Sequence, residues 1–284
     1  MGVNYMKKRE LECGSDVRVV TSNNFIRAAG LENISLKARK LLYLAMAQSR
    51  KTDEEFYEFT ISIKTFSELM DIHPSNVYDT ADEITDELMH GFINCSKNKK
   101  EFEKFHLFRI CTYQEGKGIT FRISEEMTPI LLNLQRDFSQ PLLNEFMRMR
   151  SNYSIQIWHF FQMKMKRKDG PGISSPIVFT ASVEELRAVT GTQNKLHQIG
   201  QFKERVLEQA IREIYENCAV RVSYTQIKKG RTVVAFEFTV KSLVDEPMMT
   251  PELINRARKA ELIGRMNTLT PEEKEELQRL SDDY

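Results

Sequence analysis

The chain has 284 residues, and at about 150 residues per domain this length predicts roughly two globular domains. Hydrophobic residues make up 41% and charged residues 29%, with 17 Phe and 9 Tyr, which excludes a disordered tail or a low-complexity polymer. No apolar run approaches the roughly 18 residues that cross a bilayer, and residues 1–9 lack the apolar centre of a signal peptide. We therefore expect a cytoplasmic protein with no membrane partner. Four cysteines at no metal-ligand spacing predict neither a bound metal nor a disulfide.

Charge is distributed unevenly along the chain, although the net charge is only +1. Residues 151–242 contain 14 Lys and Arg against 8 Asp and Glu, a net charge of +6. Residues 243–284 are acidic, with 6 against 10 and a net charge of −4. A basic domain beside neutral or acidic segments is typical of a protein that binds a phosphate-rich partner.

Two segments of the chain repeat the same order of elements. Each opens with a helix that has one apolar face: Ala38, Leu41, Leu42, Ala45 and Met46 in the first, and Ser154, Ile157, Trp158, Phe161 and Met165 in the second. A strand and a capped helix follow, in "FTISIKTFSELMDI" and "VFTASVEELRAVTG". We predict capping boxes at Thr65 with Glu68 and at Ser182 with Glu185. With Leu69 and Leu186 four residues after these caps, the two units superpose at an offset of 117 residues.

A third helix and a β-hairpin complete each repeat. The helices are predicted at Ser75–His90 and about Gln198–Tyr215, and each hairpin places apolar residues on one face: Ile119, Phe121 and Ile123 in the first, and Val234, Phe236, Phe238 and Val240 in the second. This order is that of a winged helix, so we predict an α+β fold with tandem winged-helix domains related as a pseudo-two-fold internal repeat. The predicted boundaries are an N-terminal tail (1–20), winged-helix domain 1 (21–124), a helical linker (125–150), winged-helix domain 2 (151–242) and a C-terminal helical tail (243–284).

The third helix of the first repeat has an acidic outer face. Val77, Ala81, Ile84 and Leu88 form its apolar stripe, which leaves Asp79, Asp82, Glu83 and Asp86 on the opposite side. Placing four carboxylates beside DNA phosphates is unfavourable, so we expect no ordinary groove reading here. Ser75 and Asn76 at the helix start, and Lys117 in the turn of the wing, remain as candidate DNA contacts.

The third helix of the second repeat suits DNA better. Its predicted outer face carries Gln198, Gln201, Arg205, Glu208 and Arg212, opposite an apolar side of Val206, Leu207, Ala210, Ile211 and Ile214. Glutamine and arginine are the side chains that bond adenine and guanine edges with two hydrogen bonds. Lys195 and Lys203 are basic neighbours, with Lys203 on the core side of an ideal wheel, and the wing turn places Lys228, Lys229 and Arg231 around Gly230 as candidate phosphate contacts.

These segments resemble the plasmid replication initiators that contain two winged helices and bind repeated origin sequences called iterons. The resemblance lies in "SLKARKLLYLAMAQ", "NYSIQIWHFF", "FTASVEELRAVTG", "FKERVLEQAIREIYE" and "IKKGRTVVAFEFTV", and spans about residues 20–242. It implies monomers that bind double-stranded iterons, help open the origin and recruit host initiation and helicase-loading proteins. It also implies dimers, joined through the first domain, that repress the protein's own promoter, with a part in plasmid copy control. Base reading then falls on Gln201, Lys203, Arg205 and Arg212, and phosphate contact on Lys228, Lys229 and Arg231.

No enzymatic motif is recognisable in the sequence. There is no G-x-x-x-x-G-K-[ST] and no G-x-S-x-G, and the five histidines are isolated, so we expect no enzyme activity and no cofactor. Two alternatives remain open. One is a winged-helix transcription regulator without a part in replication, and the other is a protein-interaction module, which the acidic first repeat allows.

Overall fold

A computed structural model describes residues 11, 17–28, 30–31, 34–50, 53–98, 101–132, 138–165, 176–243, 270, 274 and 278. Residues 1–241 form one compact unit and residues 242–284 a second. In the second unit, the backbone N–H of Lys274 donates to the carbonyl of Thr270 at 3.0 Å, while Pro271 of the expected terminal helix lies outside the described residues. None of the helices in the described ranges is long and apolar enough to span a bilayer.

The first winged helix has the predicted order of elements. Its helices are α2 (Leu36–Ala47), α3 (Ile63–Met70) and α4 (Val77–His90), and its strands are β2 (Phe59–Ile61), β5 (Phe108–Gln114) and β6 (Gly118–Ile123). The strands form an antiparallel sheet in the order β2-β6-β5, with Phe59 opposite Phe121. The apolar stripe predicted for α4 is buried, and Asp79, Asp82, Glu83 and Asp86 are exposed as expected.

The second winged helix repeats this arrangement. It comprises α7 (Asn152–Met165), β8 (Ile177–Ser182), α8 (Val183–Thr190), the candidate recognition helix (Ile199–Asn217), β9 (Val220–Lys229) and β10 (Thr232–Ser242). Its sheet has the order β8-β10-β9, which matches β2-β6-β5 strand for strand. The prediction of tandem winged helices in an α+β fold is therefore confirmed.

The predicted cap of α3 is wrong, and with it the offset of 117 residues. The N-cap is Ser62, whose Oγ accepts from the Thr65 backbone N–H at 3.1 Å, so Thr65 lies inside the helix. In α8 the predicted capping box is confirmed, because Ser182 Oγ accepts from Glu185 N–H at 3.0 Å and Glu185 accepts from Ser182 N–H at 2.9 Å. Ser62 and Ser182 are 120 residues apart.

The same offset of 120 relates other equivalent positions. Both helices end on a left-handed residue, Asp71 (φ 52°) and Gly191 (φ 62°). Phe66 and Leu186 occupy equivalent positions in the two repeats, and both are fully buried. The sequence carries this register as "FTIS" and "FTAS", in which the capping serine stands at the end of the strand.

Several elements lie outside the two winged helices, and the helices among them at residues 125–148 fall in the predicted helical linker. A hairpin of β3 (Phe92–Asn98) and β4 (Glu101–His106) stands between α4 and β5. Between the two repeats lie a 3-10 turn (Glu125–Met127), α5 (Thr128–Leu131), β7 (Phe138–Ser139) and α6 (Leu143–Arg148). Strand β7 pairs with β1 (Thr21–Ser22), which precedes α1 (Asn23–Arg27).

Buried polar contacts join the two repeats. The Arg39 Nε of α2 donates to Asn152 Oδ1 at the start of α7 at 2.8 Å, and Asn152 Nδ2 donates to the Ile34 carbonyl at 2.9 Å. His159 of α7 lies between Thr21 Oγ1, 2.7 Å from Nε2, and the Tyr43 hydroxyl, 2.8 Å from Nδ1. Since these groups come from distant parts of the chain, they fix the first repeat against α7.

The buried His159 makes stability depend on pH. Burial, with a contribution from the positive charge of Arg39, lowers the pKa of His159 to about 3. The unfolded chain binds a proton near pH 6.5 while the folded chain does not, so stability falls as the pH drops below about 6.5. We expect a loss of about 2 kcal/mol in the free energy of unfolding between pH 7 and pH 5 from this residue.

Urea unfolding of the wild type and a His159→Gln variant at both pH values measures this loss. The variant is less stable at pH 7 but lacks this part of the pH dependence. Parallel pH dependence in the two proteins would contradict the assignment.

Candidate nucleic-acid interface

The candidate recognition helix is held by an apolar face that packs on α7. Its fully buried residues are Phe202, Val206, Leu207, Ala210 and Ile214. Ile211, predicted to be buried, is only partly so, and the carboxylate residue Glu213 is buried at 6% exposure. The Glu213 carboxylate accepts from the backbone N–H groups of Arg150 at 2.8 Å and Ser151 at 3.3 Å, ahead of α7. The helix is thus joined to the segment before α7 by part-buried hydrogen bonds.

This helix is not regular along its length. It consists of α9 (Ile199–Phe202), a π-helical segment at Lys203–Glu208 and α10 (Gln209–Asn217). A π-helical segment changes the angular spacing of side chains, so an ideal wheel does not describe this helix. Lys203, placed on the core side by such a wheel, is half-buried.

The other predicted base-reading residues face solvent. Gln198, Gln201, Arg205 and Arg212 are exposed, as is Lys195 in the loop that precedes the helix. Ion pairs among the described residues include Lys64 with Glu68, Arg109 and Arg122 with Glu125, and Lys164 with Glu185. None of these pairs uses Arg205 or Arg212, so both guanidinium groups are available to an external partner.

The second wing, formed by β9 and β10, extends beyond the core. Phe236, Phe238 and Val240 are fully buried at its base, whereas Val234, predicted on the same face, is 38% exposed because the hairpin has left the core at that point. Gly230 turns the hairpin with φ 63°, and no heavy atom lies within 4 Å of the position a Cβ would take.

Three cations surround this turn. Lys228, Lys229 and Arg231 are all exposed, and none belongs to an ion pair of the described residues. The turn of the wing is therefore basic, while the base of the hairpin is apolar.

A hydrogen bond links the wing to the helix. The Tyr224 hydroxyl of β9 donates to Glu208 Oε1 at 2.5 Å. Burial and the neighbouring Glu208 carboxylate raise the pKa of Tyr224, which keeps the hydroxyl protonated as a donor. Glu208, predicted on the open face of the helix, thus holds the base of the wing beside it.

The corresponding residues of the first repeat offer fewer groups for contact with DNA. Ser75 and Asn76 are exposed in a 3-10 turn, where Ser75 Oγ lies 2.8 Å from His73 Nδ1 and donates to Asn76 Oδ1 at 3.3 Å. Lys117 is exposed in the first wing turn beside Glu115. Arg109 and Arg122, on the strands of that wing, both donate to Glu125 Oε1 at 2.9 Å.

Both arginines of the first wing are consequently paired with one carboxylate of the protein itself. The three predicted contacts of the first repeat and the nine of the second lie on two different winged helices. No cluster of three or more His, Cys, Asp or Glu in the described ranges could hold a metal ion.

Comparison with known proteins decides the family. The model described as "Initiator Replication protein, WH1" matches residues 18–162, and the model described as "Initiator Rep protein, WH2" matches residues 182–240. The chain belongs to the replication initiator protein family. This initiator also resembles a solved structure, "Crystal structure of Pi initiator protein in complex with iteron DNA", with a TM-score of 0.69 and 19% sequence identity. The similarity covers 83% of this chain and all of that chain, and shows a shared fold.

Sequence reasoning missed three residues of the initiator that shape the interface without lying on its exposed face. Glu213, Tyr224 and Arg187 each make the hydrogen bonds that hold the recognition helix, the wing or the loop between α8 and α9. These hydrogen bonds join residues that are 5 to 63 positions apart in the sequence. No local periodicity signals such pairs.

Proposed function

We propose that this chain initiates plasmid replication by binding directly repeated iterons in double-stranded DNA, chiefly through the second winged helix. The observation that carries the proposal is that the amides and cations of the candidate recognition helix and wing are exposed. A protein of similar fold has been solved in complex with iteron DNA. Arginine and glutamine at the helix suit base edges, and the three wing cations suit phosphates. With no catalytic constellation predicted, such a protein acts through binding energy, DNA bending and recruitment.

Footprinting of the purified chain on the DNA that flanks its own gene tests this proposal. Protection of several directly repeated sites is the expected result. Protection of one inverted site alone would favour the transcription regulator instead, and failure to retard any duplex at low salt would favour the protein-interaction module.

We further propose that dimers, which repress the initiator's own promoter, form through the hairpin of the first repeat. In the described residues β4 forms strand pairs with β3 alone. Phe102 is 64% exposed and Phe92 39% exposed, with the Lys104 Nζ 5.4 Å and 5.0 Å from their ring centroids. Open edges and exposed aromatic residues favour pairing with another chain.

A substitution of the exposed aromatic residue tests this dimer. Phe102→Lys removes the exposed ring from β4 and adds a charge that disfavours strand pairing, so we expect a dissociation constant raised about tenfold or more in sedimentation equilibrium. Lys117→Glu, in the exposed first wing turn, is the matched control. Equal dimerisation of the two variants would contradict the proposed interface.

The acidic face of α4 supports a different use of the first repeat. Asp79, Asp82, Glu83 and Asp86 repel phosphates, and Tyr78 beside them is 58% exposed. We propose that this face contacts host replication initiation and helicase-loading proteins. Neutralising Asp82 and Asp86 to asparagine should weaken helicase loading at the origin while leaving iteron affinity unchanged or higher.

A further inference from the structure

The loop before the candidate recognition helix is longer in the second repeat than in the first. Eight residues, 191–198, separate α8 from α9, whereas six residues, 71–76, separate α3 from α4, and three of those six form a 3-10 turn. Within the longer loop, Leu196 adopts a left-handed conformation with φ 52°. A branched side chain in that region costs free energy, so surrounding contacts must hold the loop in this conformation.

Arg187 of α8 supplies those contacts. Its Nη1 donates to the carbonyls of Thr192 and Lys195, both at 2.9 Å. Its Nη2 donates to the carbonyls of Leu196 at 2.8 Å and His197 at 3.3 Å. One guanidinium group therefore bonds four loop carbonyls, of which that of Thr192 also accepts from the Lys195 backbone N–H at 3.2 Å.

Arg187 also contacts the helix that follows the loop. The guanidinium carbon lies 4.7 Å from the centroid of the Phe202 ring, and Phe202 is fully buried at the end of α9. The same side chain thus fixes the loop and the first turn of the helix in one arrangement. The equivalent position in the first repeat, 120 residues earlier, is Ser67, whose hydroxyl reaches a single carbonyl, that of Ile72.

We propose that Arg187 is a positioning residue for base reading, which rests on the function proposed above. It sets the loop so that Lys195, Gln198 and Gln201 are presented together at the start of the helix, without contacting DNA itself. The planar guanidinium has five donors in a rigid fork, whereas a lysine ammonium cannot span four carbonyls in this geometry. Arg187→Lys therefore keeps the charge and removes the positioning.

The test compares the full chain and its Arg187→Lys variant on an iteron duplex and a scrambled duplex. We expect the variant to lose about tenfold in the ratio of iteron to scrambled affinity, the size of one base contact. Affinity for the scrambled duplex and the dependence of log K on log salt should not change. Arg221→Lys, an exposed arginine of β9, is the matched control and should leave the ratio unchanged.

Two results would overturn the proposal. An unchanged ratio of iteron to scrambled affinity in Arg187→Lys would show that base reading does not need the guanidinium group. In Arg187→Ala, a salt slope lower by about 0.9 would show that Arg187 contacts a phosphate directly.

Amide hydrogen exchange provides a readout that needs no DNA. Exchange should accelerate in residues 192–202 of Arg187→Lys and stay unchanged in β9 and β10. Exchange rates in residues 192–202 equal to those of the wild type would also overturn the proposal. Failure of the proposed function appears separately, as a wild-type chain that does not prefer the iteron duplex. A change in exchange across the whole second winged helix would show a general folding role and likewise contradict positioning.

Discussion

Replacing Lys228, Lys229 and Arg231 together by glutamine should lower affinity for every duplex by about 500-fold at 0.1 M salt. Each phosphate contact contributes about 0.9 to the dependence of log K on log salt, so three contacts contribute about 2.7. The three cations are exposed around a glycine turn and take no part in the ion pairs of the described residues, so their neutralisation should leave the fold intact.

Fluorescence anisotropy over a range of salt concentrations measures both quantities. The iteron and a scrambled duplex should weaken by the same factor, because phosphates carry no sequence information. Lys117→Gln in the first wing, compared with Lys229→Gln alone, is the matched control and should have the smaller effect. A triple variant with an unchanged salt slope would exclude the wing from phosphate contact.

Arg205→Ala should weaken binding to the iteron selectively, whereas the triple variant of the wing weakens binding to every duplex alike. We expect affinity for the iteron to fall by about 1–3 kcal/mol, with little loss on a scrambled duplex, because a guanidinium on a guanine edge stabilises one sequence only. Arg205 is exposed in the π-helical segment of the recognition helix, so its removal leaves the buried face of Val206 and Leu207 intact.

Competition binding against duplexes altered at single positions measures this change. Discrimination should relax at one base pair of the iteron and remain at the others. Equal loss on every sequence would reassign Arg205 to the phosphates.

The fold was predictable because the apolar pattern fixes the buried face of each helix. Once Val77, Ala81 and Ile84 are buried, the carboxylates of α4 must point outward, and the same reasoning exposes Gln201 and Arg205. The register between the repeats was not predictable from the Ser/Thr-x-x-Glu pattern alone. Thr65 with Glu68 has this spacing inside a helix, while the cap itself lies at the strand end, where Ser62 and Ser182 match.

Other features escaped the sequence for distinct physical reasons. Strand β4 has no buried face, so the β3-β4 hairpin lacks the alternation that marks a strand. The π-helical segment keeps helical composition while changing side-chain directions. The hydrogen bonds of the Arg187 guanidinium and the Glu213 carboxylate depend on which backbone groups the fold brings near them. The base-reading role of each exposed residue stays a prediction.

Site-specific photocrosslinking to an iteron duplex tests most directly where the double helix lies. A photoreactive residue replaces Gln201 in the recognition helix, Lys229 in the second wing or Asp82 on the acidic face of α4, in three otherwise identical chains. The first two positions should crosslink to DNA and the third should not. Efficient crosslinking from Asp82, with none from Gln201, would contradict the account that the second winged helix holds the duplex.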